Sequence, residues 1–544
     1  MHIAPLLLGF LLTGCSCSKA PETSIFGAPL FVNEKRVSDD EIKLALIYGP
    51  CRLALDLRKT ELVIEDEIAR QTKAGRTRAM ISDAEFEAEY DYWVGEFRLS
   101  YPVLDIGSEI CRTYRSVDGY RDFLRQQMLF ERVFLPEDPA QWPRTTLESI
   151  RTDPAGGEAL ITEEQESYLN RLAQSGGDPK KLPRADALMR EFLRQIVREA
   201  LFDRIEFKTQ PDIGDPRLAL WADKNGDGKP ELAVSIDELW DKASDTVTET
   251  EIQEAKQWCI TSRATRDRLA SEGGLLSKRE AKEALVDLAT GLGGATITLE
   301  QIATKTYQFP SLESFSEYYT LQKGFERQTA SKLANGPNGG LAPALKEHFE
   351  RANKVMGLGM VDAEVLLVSA MDIPRFRWKK DGWFEARRKA QRLREECEKD
   401  PSPEHWSRLL DVHSEYWDPP PNERGNGGWS SDIVPKRRGR FGSRYRNDLI
   451  GCVGESAYTE WVTGECITDW IFFDQPLNSV TGPFRGPLGW YLTRVTRRTP
   501  PSRPLKLDDP EHRRLLREDY LRHAFVEYSK EAVARAKIRG FQPL

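Results

Sequence analysis

Apart from one run near its start, this 544-residue sequence has no apolar stretch that could cross a lipid bilayer. That run, residues 3–12, is far shorter than the roughly 20 residues that a membrane-spanning helix requires. The net charge of −8 argues against a general nucleic-acid-binding protein, and we expect no nucleic-acid partner. None of the eight cysteines has the C-x-x-C spacing of a zinc site. We also find no nucleophile motif or convincing pair of carboxylates that would indicate a protease or a glycosidase.

The length and composition indicate several folded units. A chain of 544 residues is too long for one hydrophobic core, and its length predicts about three domains. Charged residues make up 30% of the sequence, which is typical of helices with solvated surfaces. The most basic stretch, residues 436–446, is predicted to be a solvated loop, since runs of charge are usually found at the surface.

The first residues carry a signal for export. The apolar run ends in Leu12-Thr13-Gly14-Cys15, and a short apolar run followed by small residues is typical of a secretory signal. The motif resembles the bacterial lipoprotein signal, in which the cysteine is lipidated and becomes the new N-terminus. The alternatives are an ordinary signal peptide or a buried N-terminal helix. We predict a signal peptide over 1–14, a lipid anchor on Cys15 and a tether over 15–28. The protein would then be held at a membrane in the cell envelope, facing the periplasm or the exterior.

Two helical segments have similar motifs in the same order. Ser38 and Glu41 form a capping signature before the first helix, and a second helix is predicted near residue 81. The motif at 41–45 has a counterpart at 251–255, and the motif at 81–85 has one at 276–280. The tripeptide Phe-Glu-Arg occurs at 130–132 and again at 325–327. A shared order of motifs indicates a repeated unit, although chance similarity between amphipathic helices is the alternative. We predict a helical domain over 29–150, a helical connector over 151–215 and a second helical repeat over 240–335.

Between these segments, residues 216–236 are predicted to form a β-hairpin. Its loop offers oxygen ligands from Asp223, Asn225, Asp227 and Glu231, with glycines for a sharp turn, and such a set suits Ca²⁺. It resembles the calcium loops of extracellular β-repeat proteins, but Val234 occupies the position of the final glutamate of an EF-hand. A plain hairpin turn is the alternative, and a bound ion would be structural. We expect no other cofactor.

Outside the cytoplasm disulfide bonds can persist, and two pairs of cysteines are close enough in sequence to be considered. They are Cys51 with Cys111, and Cys452 with Cys466. Sequence does not fix connectivity, so buried thiols remain the alternative.

From about residue 357 the pattern becomes strand, helix, helix, loop and strand ends. Residues 363–368 (Ala-Glu-Val-Leu-Leu-Val), 480–484 (Val-Thr-Gly-Pro-Phe) and 487–491 (Pro-Leu-Gly-Trp-Tyr) resemble parts of a parvulin-type (PpiC) peptidyl-prolyl cis-trans isomerase. Residues 30–136 resemble the helical chaperone domain of the SurA/PrsA-like foldases. The resemblance implies an α+β multidomain chain with a parvulin-like domain over 355–500. It also implies a C-terminal helix, over 505–544, that returns to the N-terminal domain.

The resemblance also implies the site, with departures. Two histidines of the family fall at Val365 and Tyr491 in this sequence. Asp418 stands at the position of the central acid or cysteine, and Phe473 can line a proline pocket. Isomerisation forms no covalent bond, because it relies on binding a twisted amide whose rotational barrier is about 20 kcal/mol. We therefore predict Asp418, Phe473 and Tyr491 as catalytic residues with weakened activity, although core packing would also explain the aromatic side chains.

Together these features predict a cell-envelope foldase. Its expected partners are unfolded or nascent exported polypeptides, with the lipid anchor as its contact with the membrane. The alternative is a non-enzymatic chaperone or assembly scaffold that retains a degenerate parvulin fold.

Overall fold

The computed structural model describes residues 24–75, 81–100, 114–134, 205–210, 213–223, 231–292, 298–333, 341–372, 377–416 and 439–542. Within them it is a mixture of helices and small antiparallel sheets, so the predicted α+β class is confirmed at that level. Cys15, Asn225, Asp227 and Asp418 lie outside the described residues, and the predictions made for them stay predictions.

The elements follow one another in five groups along the chain. The first group contains β1 (Phe31–Val32), β2 (Lys35–Arg36), α1 (Asp39–Ile47), α2 (Arg52–Lys73), α3 (Asp83–Ser100) and α4 (Val117–Phe134). The second contains β3 (Glu206–Thr209), β4 (Leu218–Asp223) and β5 (Leu232–Ser235). The third contains α5 (Ile236–Ala243), α6 (Glu249–Ser271), α7 (Lys278–Gly291), α8 (Leu312–Thr329) and α9 (Pro343–Met356).

The fourth group is rich in strands, and the fifth returns to the start of the chain. The fourth contains β6 (Met360–Ser369), β7 (Met371–Asp372), β8 (Arg377–Trp378), α10 (Gly382–Lys399), α11 (Pro403–His413), β9 (Arg440–Arg444), α12 (Arg446–Val453), α13 (Ala457–Thr463), β10 (Val480–Gly486) and β11 (Gly489–Thr499). The fifth contains α14 (Pro510–Arg535) and β12 (Ile538–Arg539). Short helical turns occupy Ser244–Thr246, Leu299–Gln301, Ile302–Thr306, Ala330–Leu333, Ile467–Asp469 and Trp470–Asp474.

The helices begin where the sequence provides caps. Ser38 caps α1, and Glu41 accepts a hydrogen bond from the backbone N–H of Ser38 in return, which completes a capping box. The same reciprocal arrangement starts α6, with Thr248 and Glu251, and α7. Each box satisfies backbone N–H groups that have no partner within the helix, so these starts are set by local sequence.

The two ends of the chain lie in one folded body. Strand β1 pairs with β12 on one side and β2 on the other, and Phe31 lies opposite Arg539. Helix α14 packs against α6, α8 and α9 and contributes Leu516 and Phe525 to a core that also contains Trp258, Phe315 and Trp461. We call this assembly, formed by residues 24–75, 231–356 and 501–542, the helical body.

The segments predicted as repeats share two contacts in equivalent places. Arg132 on α4 forms an ion pair of 3.0 Å with Glu85 on α3, and Arg327 on α8 forms one of 2.9 Å with Glu280 on α7. A pair of aromatic rings also lies at the start of each third helix. The rings of Tyr114 and Phe123 are 4.8 Å apart, and those of Tyr307 and Phe315 are also 4.8 Å apart.

The predicted hairpin belongs to a three-stranded sheet. Strand β4 pairs antiparallel with β5, and β3 pairs with the other edge of β4. The expectation of a helical connector over 151–215 is therefore wrong at 206–209, because these residues gain their backbone hydrogen bonds from β4. Residues 151–204 lie outside the described part of the chain.

The strand-rich group forms a four-stranded antiparallel sheet in the order β10-β11-β6-β9. Helices α10 and α11 cover one face and pack against Leu366, Val368 and Leu492. Helix α12 and the turns at 467–474 cover the other face. We call this unit the sheet module. It lies in the chain between α9 and α14, so it is inserted into the helical body.

Two further expectations concern the membrane and the cysteines. Within the described residues no helix combines the length and apolar character needed to span a membrane. Cys51, Cys452 and Cys466 are present as thiols, and no disulfide bond joins Cys452 to Cys466.

Candidate functional site

The two positions aligned with the family's histidines lie on the same face of the sheet module. Val365 is on β6 and Tyr491 on the neighbouring β11, where Tyr491 lies opposite Leu367 and Val365 lies opposite Thr493. Both side chains belong to one core cluster and have 0% exposed surface. Both side chains therefore lie inside the core, and the catalytic role expected for Tyr491 stays a prediction.

Tyr491 is held in that core by its phenol group. The hydroxyl accepts a hydrogen bond from the backbone N–H of Leu488 and donates one to the carbonyl of Val453, each at 3.3 Å. Burial raises the pKa of Tyr491 far above its usual value, so the phenol stays neutral. Both contacts are structural, and they occupy the polar atom that could otherwise contact a substrate.

Other residues also fill the space next to Val365. Its backbone N–H donates to the carbonyl of Gly439 at 2.8 Å. Gly439 has a φ of 92°, and a Cβ there would lie 1.9 Å from the carbonyl oxygen of Val365, so glycine allows this close approach. The ring of Tyr416 lies 6.3 Å from that of Tyr491 and continues the packing.

Phe473 lies at the edge of this cluster and is half-buried. The guanidinium of Arg351, from α9 of the helical body, lies 3.8 Å from the centroid of its ring. Phe472 packs against the ring at 5.1 Å in an edge-on arrangement. One face of the predicted proline pocket is thus covered by a cation from the other unit of the protein.

A separate groove opens where the helical body meets the sheet module. It has a volume of about 470 Å³ and lies between the end of α9, the segment 503–506 and the start of α14. Its apolar walls and cationic rim are formed by Met356, Leu358, Arg503, Pro504, Leu505, Lys506, His512 and Leu515. We call this feature the junction groove.

Backbone hydrogen bonds build the floor of the junction groove. The N–H of Arg503 donates to the carbonyl of Gly357 at 2.8 Å, and the N–H of Leu505 donates to the side-chain oxygen of Asn353 at 2.8 Å. A Cβ at Gly357 would lie 2.4 Å from the carbonyl of Asn353, so this crossing requires glycine. The adjacent Leu358 adopts a φ of 63°, a backbone conformation that is rare for non-glycine residues.

Sequence reasoning missed the junction groove. A C-terminal helix was expected over 505–544, but that expectation gave no sign that the start of the helix lines an opening. The crossing of residues 357 and 503 joins segments almost 150 residues apart, and no local pattern encodes it.

The residues proposed for calcium are only partly described. Asp223 ends β4 and is buried, whereas Glu231 precedes β5 and is exposed. Ala222 and Leu232 are paired across the hairpin, so Asp223 and Glu231 lie on either side of its open end. This placement is compatible with shared ligation by the loop between them.

Glu460, Cys466 and Asp469 form the one group of metal-ligand residues within 4.8 Å of one another in the described part of the chain. Asp469, however, forms a hydrogen bond of 2.6 Å with Nε of Arg446 and an ion pair with Arg351. Burial raises the pKa of the Cys466 thiol well above its usual value. Arginines already supply the positive charge here, so these residues do not fit a metal ion.

Comparisons with known proteins give a distant likeness among solved structures. No protein-family description matches this chain, and no curated protein matches it. Among solved structures, PrsA from Bacillus subtilis is similar over 56% of this chain and 90% of its own, with 14% sequence identity and a TM-score of 0.16. A TM-score this low establishes neither a shared fold nor a shared activity.

Proposed function

We propose that this protein is a cell-envelope foldase that binds unfolded exported polypeptides, and that the junction groove holds an apolar segment of the client. The groove itself carries the proposal, because it presents an apolar surface on the helical body, next to the two chain segments that lead to and from the sheet module. Its volume of about 470 Å³ lies within the range of about 300–1,000 Å³ that is typical of ligand pockets.

The lining of the groove suits a partner without fixed structure. Met356 and Leu515 are half-buried and contribute flexible apolar side chains, and methionine in particular adapts to ligands of different shape. Arg503 and Lys506 are exposed on the rim, where they would attract acidic residues that flank an apolar segment. Binding in this groove would rely on burial of apolar surface, which is non-directional and tolerates many sequences.

Aggregation of a chemically unfolded protein tests this binding. We expect the full-length protein to suppress the aggregation of reduced, unfolded α-lactalbumin, and the variants Leu515→Glu and Met356→Glu to lose most of that effect. A charge in the groove would oppose apolar contact. Because Met356 also packs against the core of the helical body, circular dichroism of each variant checks that it is folded. The matched control is Leu477→Glu, because Leu477 is a 50% exposed leucine outside the groove. Equal suppression by all four proteins would reject the groove as the binding site.

Prolyl isomerase activity is the second candidate, and the sheet module supports it. Its order of strand, helix, helix, strand, helices and a closing hairpin is compatible with the order implied by the parvulin resemblance. The complete burial of Val365 and Tyr491 favours a binding role instead. Uncatalysed isomerisation takes tens of seconds, so even modest acceleration is measurable. Faster isomerisation of a proline peptide in the presence of the full-length protein would support isomerase activity. No acceleration at high protein concentration would favour a chaperone without isomerase activity.

A further inference from the structure

Two of the six histidines contact each other at the boundary between the helical body and the sheet module. His348 on α9 and His523 on α14 have ring centroids 5.5 Å apart and planes inclined by 25°. His348 is 7% exposed, and its Nε2 lies 2.7 Å from a carboxylate oxygen of Asp519. The ring of Tyr520 packs edge-on against His348. Two imidazoles in such contact are both accommodated when neutral, but two imidazolium ions would repel each other.

The charges that surround the two imidazoles already balance. Three guanidinium groups and three carboxylates belong to the cluster, and they are those of Arg351, Arg446, Arg522, Glu460, Asp469 and Asp519. They come from α9, α12, α13, α14 and the turn at 467–469, so the cluster joins both units of the protein. These six charges sum to zero, so a proton taken up by His523 adds one positive charge to a cluster whose carboxylates are already paired with arginines.

The remaining groups near the imidazoles do not change that balance. His523 also faces Glu527, an exposed residue that is paired with Lys530 at 2.7 Å. From α8, the neutral phenol of Tyr318 faces Arg522 and Glu460. The charged pair from α6, Arg268 and Glu272, contacts Tyr528 further along α14. The buried thiol of Cys466 lies beside Asp469.

The local environment keeps His523 neutral at neutral pH. Burial, assisted by the positive charge of Arg351, lowers the pKa of His523 to about 4, although the carboxylate of Asp469 acts in the opposite direction. In a loosened or unfolded state the pKa would return towards about 6.5, so that state binds more protons between these values. The closed cluster therefore loses stability as the pH falls from about 6.5 towards 4, and it regains stability as the pH rises.

We propose that this cluster is an acid-sensitive latch: proton uptake by His523 on α14, which faces Arg351 and His348 on α9, releases α9 from α14 and changes the width of the junction groove. The end of α9 contributes Met356 to the groove and the start of α14 contributes Leu515, so the latched helices are also its walls. The packing of Trp461 from α13 against Trp258 from α6, at 4.7 Å, keeps the two units joined when the latch opens. The consequence for the groove rests on the proposed function, whereas the latch itself does not.

Hydrogen exchange of the full-length protein tests the latch directly. Amide protection, corrected for the intrinsic effect of pH, is measured at about pH 7.5 and about pH 5. We expect α9 and the first half of α14 to lose about tenfold in protection at the lower pH, while α2 keeps its protection. The double variant His348→Gln/His523→Gln lacks the stacked imidazoles and the proton site at residue 523, so its protection should be equal at both pH values. His413→Gln, on α11 and outside the cluster, should behave as the wild type.

Several outcomes would overturn the latch. Equal protection of α9 at both pH values in the wild type is one, and a pH-dependence that persists in the double variant is another. If the double variant does not fold, His523→Gln alone must reduce the pH-dependence. Binding of reduced α-lactalbumin, measured in parallel, separates the two proposals. A pH-dependent latch with unchanged binding would support the latch and reject the groove as the binding site.

Discussion

At the scale of single residues, one buried ion pair links the two helical segments. Arg52, at the start of α2, contacts Glu313, at the start of α8, and their side chains are only 14% and 8% exposed. Burial alone would raise the pKa of Glu313, but the charges of Arg52 and Lys59, together with hydrogen bonds to the carboxylate, hold the pKa below its usual value. Arg52 also contacts the half-exposed Asp56 at 2.9 Å. The guanidinium therefore compensates the Glu313 carboxylate, which has little access to water.

We predict that Arg52→Met lowers the free energy of unfolding by about 3 kcal/mol, because it leaves the Glu313 carboxylate buried without its partner. The double variant Arg52→Met/Glu313→Leu should recover most of that loss. Urea unfolding measures both. The control is Arg279→Met on α7, whose 85% exposed ion pair is expected to contribute less than about 1 kcal/mol. Equal losses for Arg52→Met and Arg279→Met would contradict the prediction.

A second prediction at this scale concerns the isomerase site. If the full-length protein accelerates prolyl isomerisation, Phe473→Ala should reduce the rate more than Asp418→Ala. Removal of a large aromatic side chain costs a few kcal/mol of packing, more than a solvated carboxylate usually contributes. The ring of Phe473 is also a contact of Arg351, so Arg351→Met serves as the control for a purely structural effect. Activity unchanged by Phe473→Ala would place the pocket elsewhere.

The parvulin resemblance aligned Val365 and Tyr491 with two histidines of the family, and the structure has the two residues on neighbouring strands. The resemblance did not show that both are fully buried, since burial depends on residues such as Phe441 and Leu449 that approach from other elements. The junction groove was not predictable either, because its lining residues come from separate parts of the chain.

At the scale of elements, helix starts that have capping residues were predictable from the sequence, whereas very short strands were not. The sequence predicted the start of α1 from Ser38 and Glu41, and the structure has that capping box. It did not predict β1 or β12, because strands of two residues are too short for an alternating pattern. Each of these strands is stabilised by pairing with the other, and Val32 lies opposite Ile538, more than 500 residues away.

The hairpin formed by β4 and β5 carries the calcium prediction. We expect chelation to lower the melting temperature of the wild type but not that of Asp227→Ala, because an ion that binds only the folded state stabilises it by mass action. Differential scanning calorimetry with and without millimolar calcium measures this. Asp215→Ala is a suitable control, since Asp215 precedes β4 and pairs with Arg217 outside the loop. Identical melting temperatures of the wild type with and without calcium would reject calcium binding and favour a plain hairpin turn.

At the scale of the whole molecule, insertion of the sheet module has a physical consequence. The helical body needs both β1 and α14, so its core cannot be completed until the last residues of the chain are available. Trp461, from α13 near the sheet module, packs between Trp258 and Tyr318 of the helical body. The two units are therefore joined by a shared core and not by a flexible linker. A substitution at their boundary is expected to affect both units.

The start of the described chain limits how far the protein can lie from a membrane. Phe26 is buried against Trp240, with ring centroids 5.2 Å apart, so the packed structure begins near this residue. The eleven residues that follow Cys15, up to and including Phe26, would span at most about 40 Å if fully extended. A lipid on Cys15 would keep the helical body close to the membrane surface.

We predict that Cys15→Ala moves the protein from the membrane fraction to the soluble fraction. Each buried CH₂ of an acyl chain contributes about 0.8 kcal/mol to membrane binding, and the variant would lose the whole chain. Cys17→Ala is the matched control, because Cys17 lies two residues further along and outside the signal motif, and that variant should stay with the membrane. Fractionation followed by immunoblotting distinguishes them. If Cys15→Ala remains membrane-bound, the attachment comes from another part of the chain, and the lipid-anchor prediction is wrong.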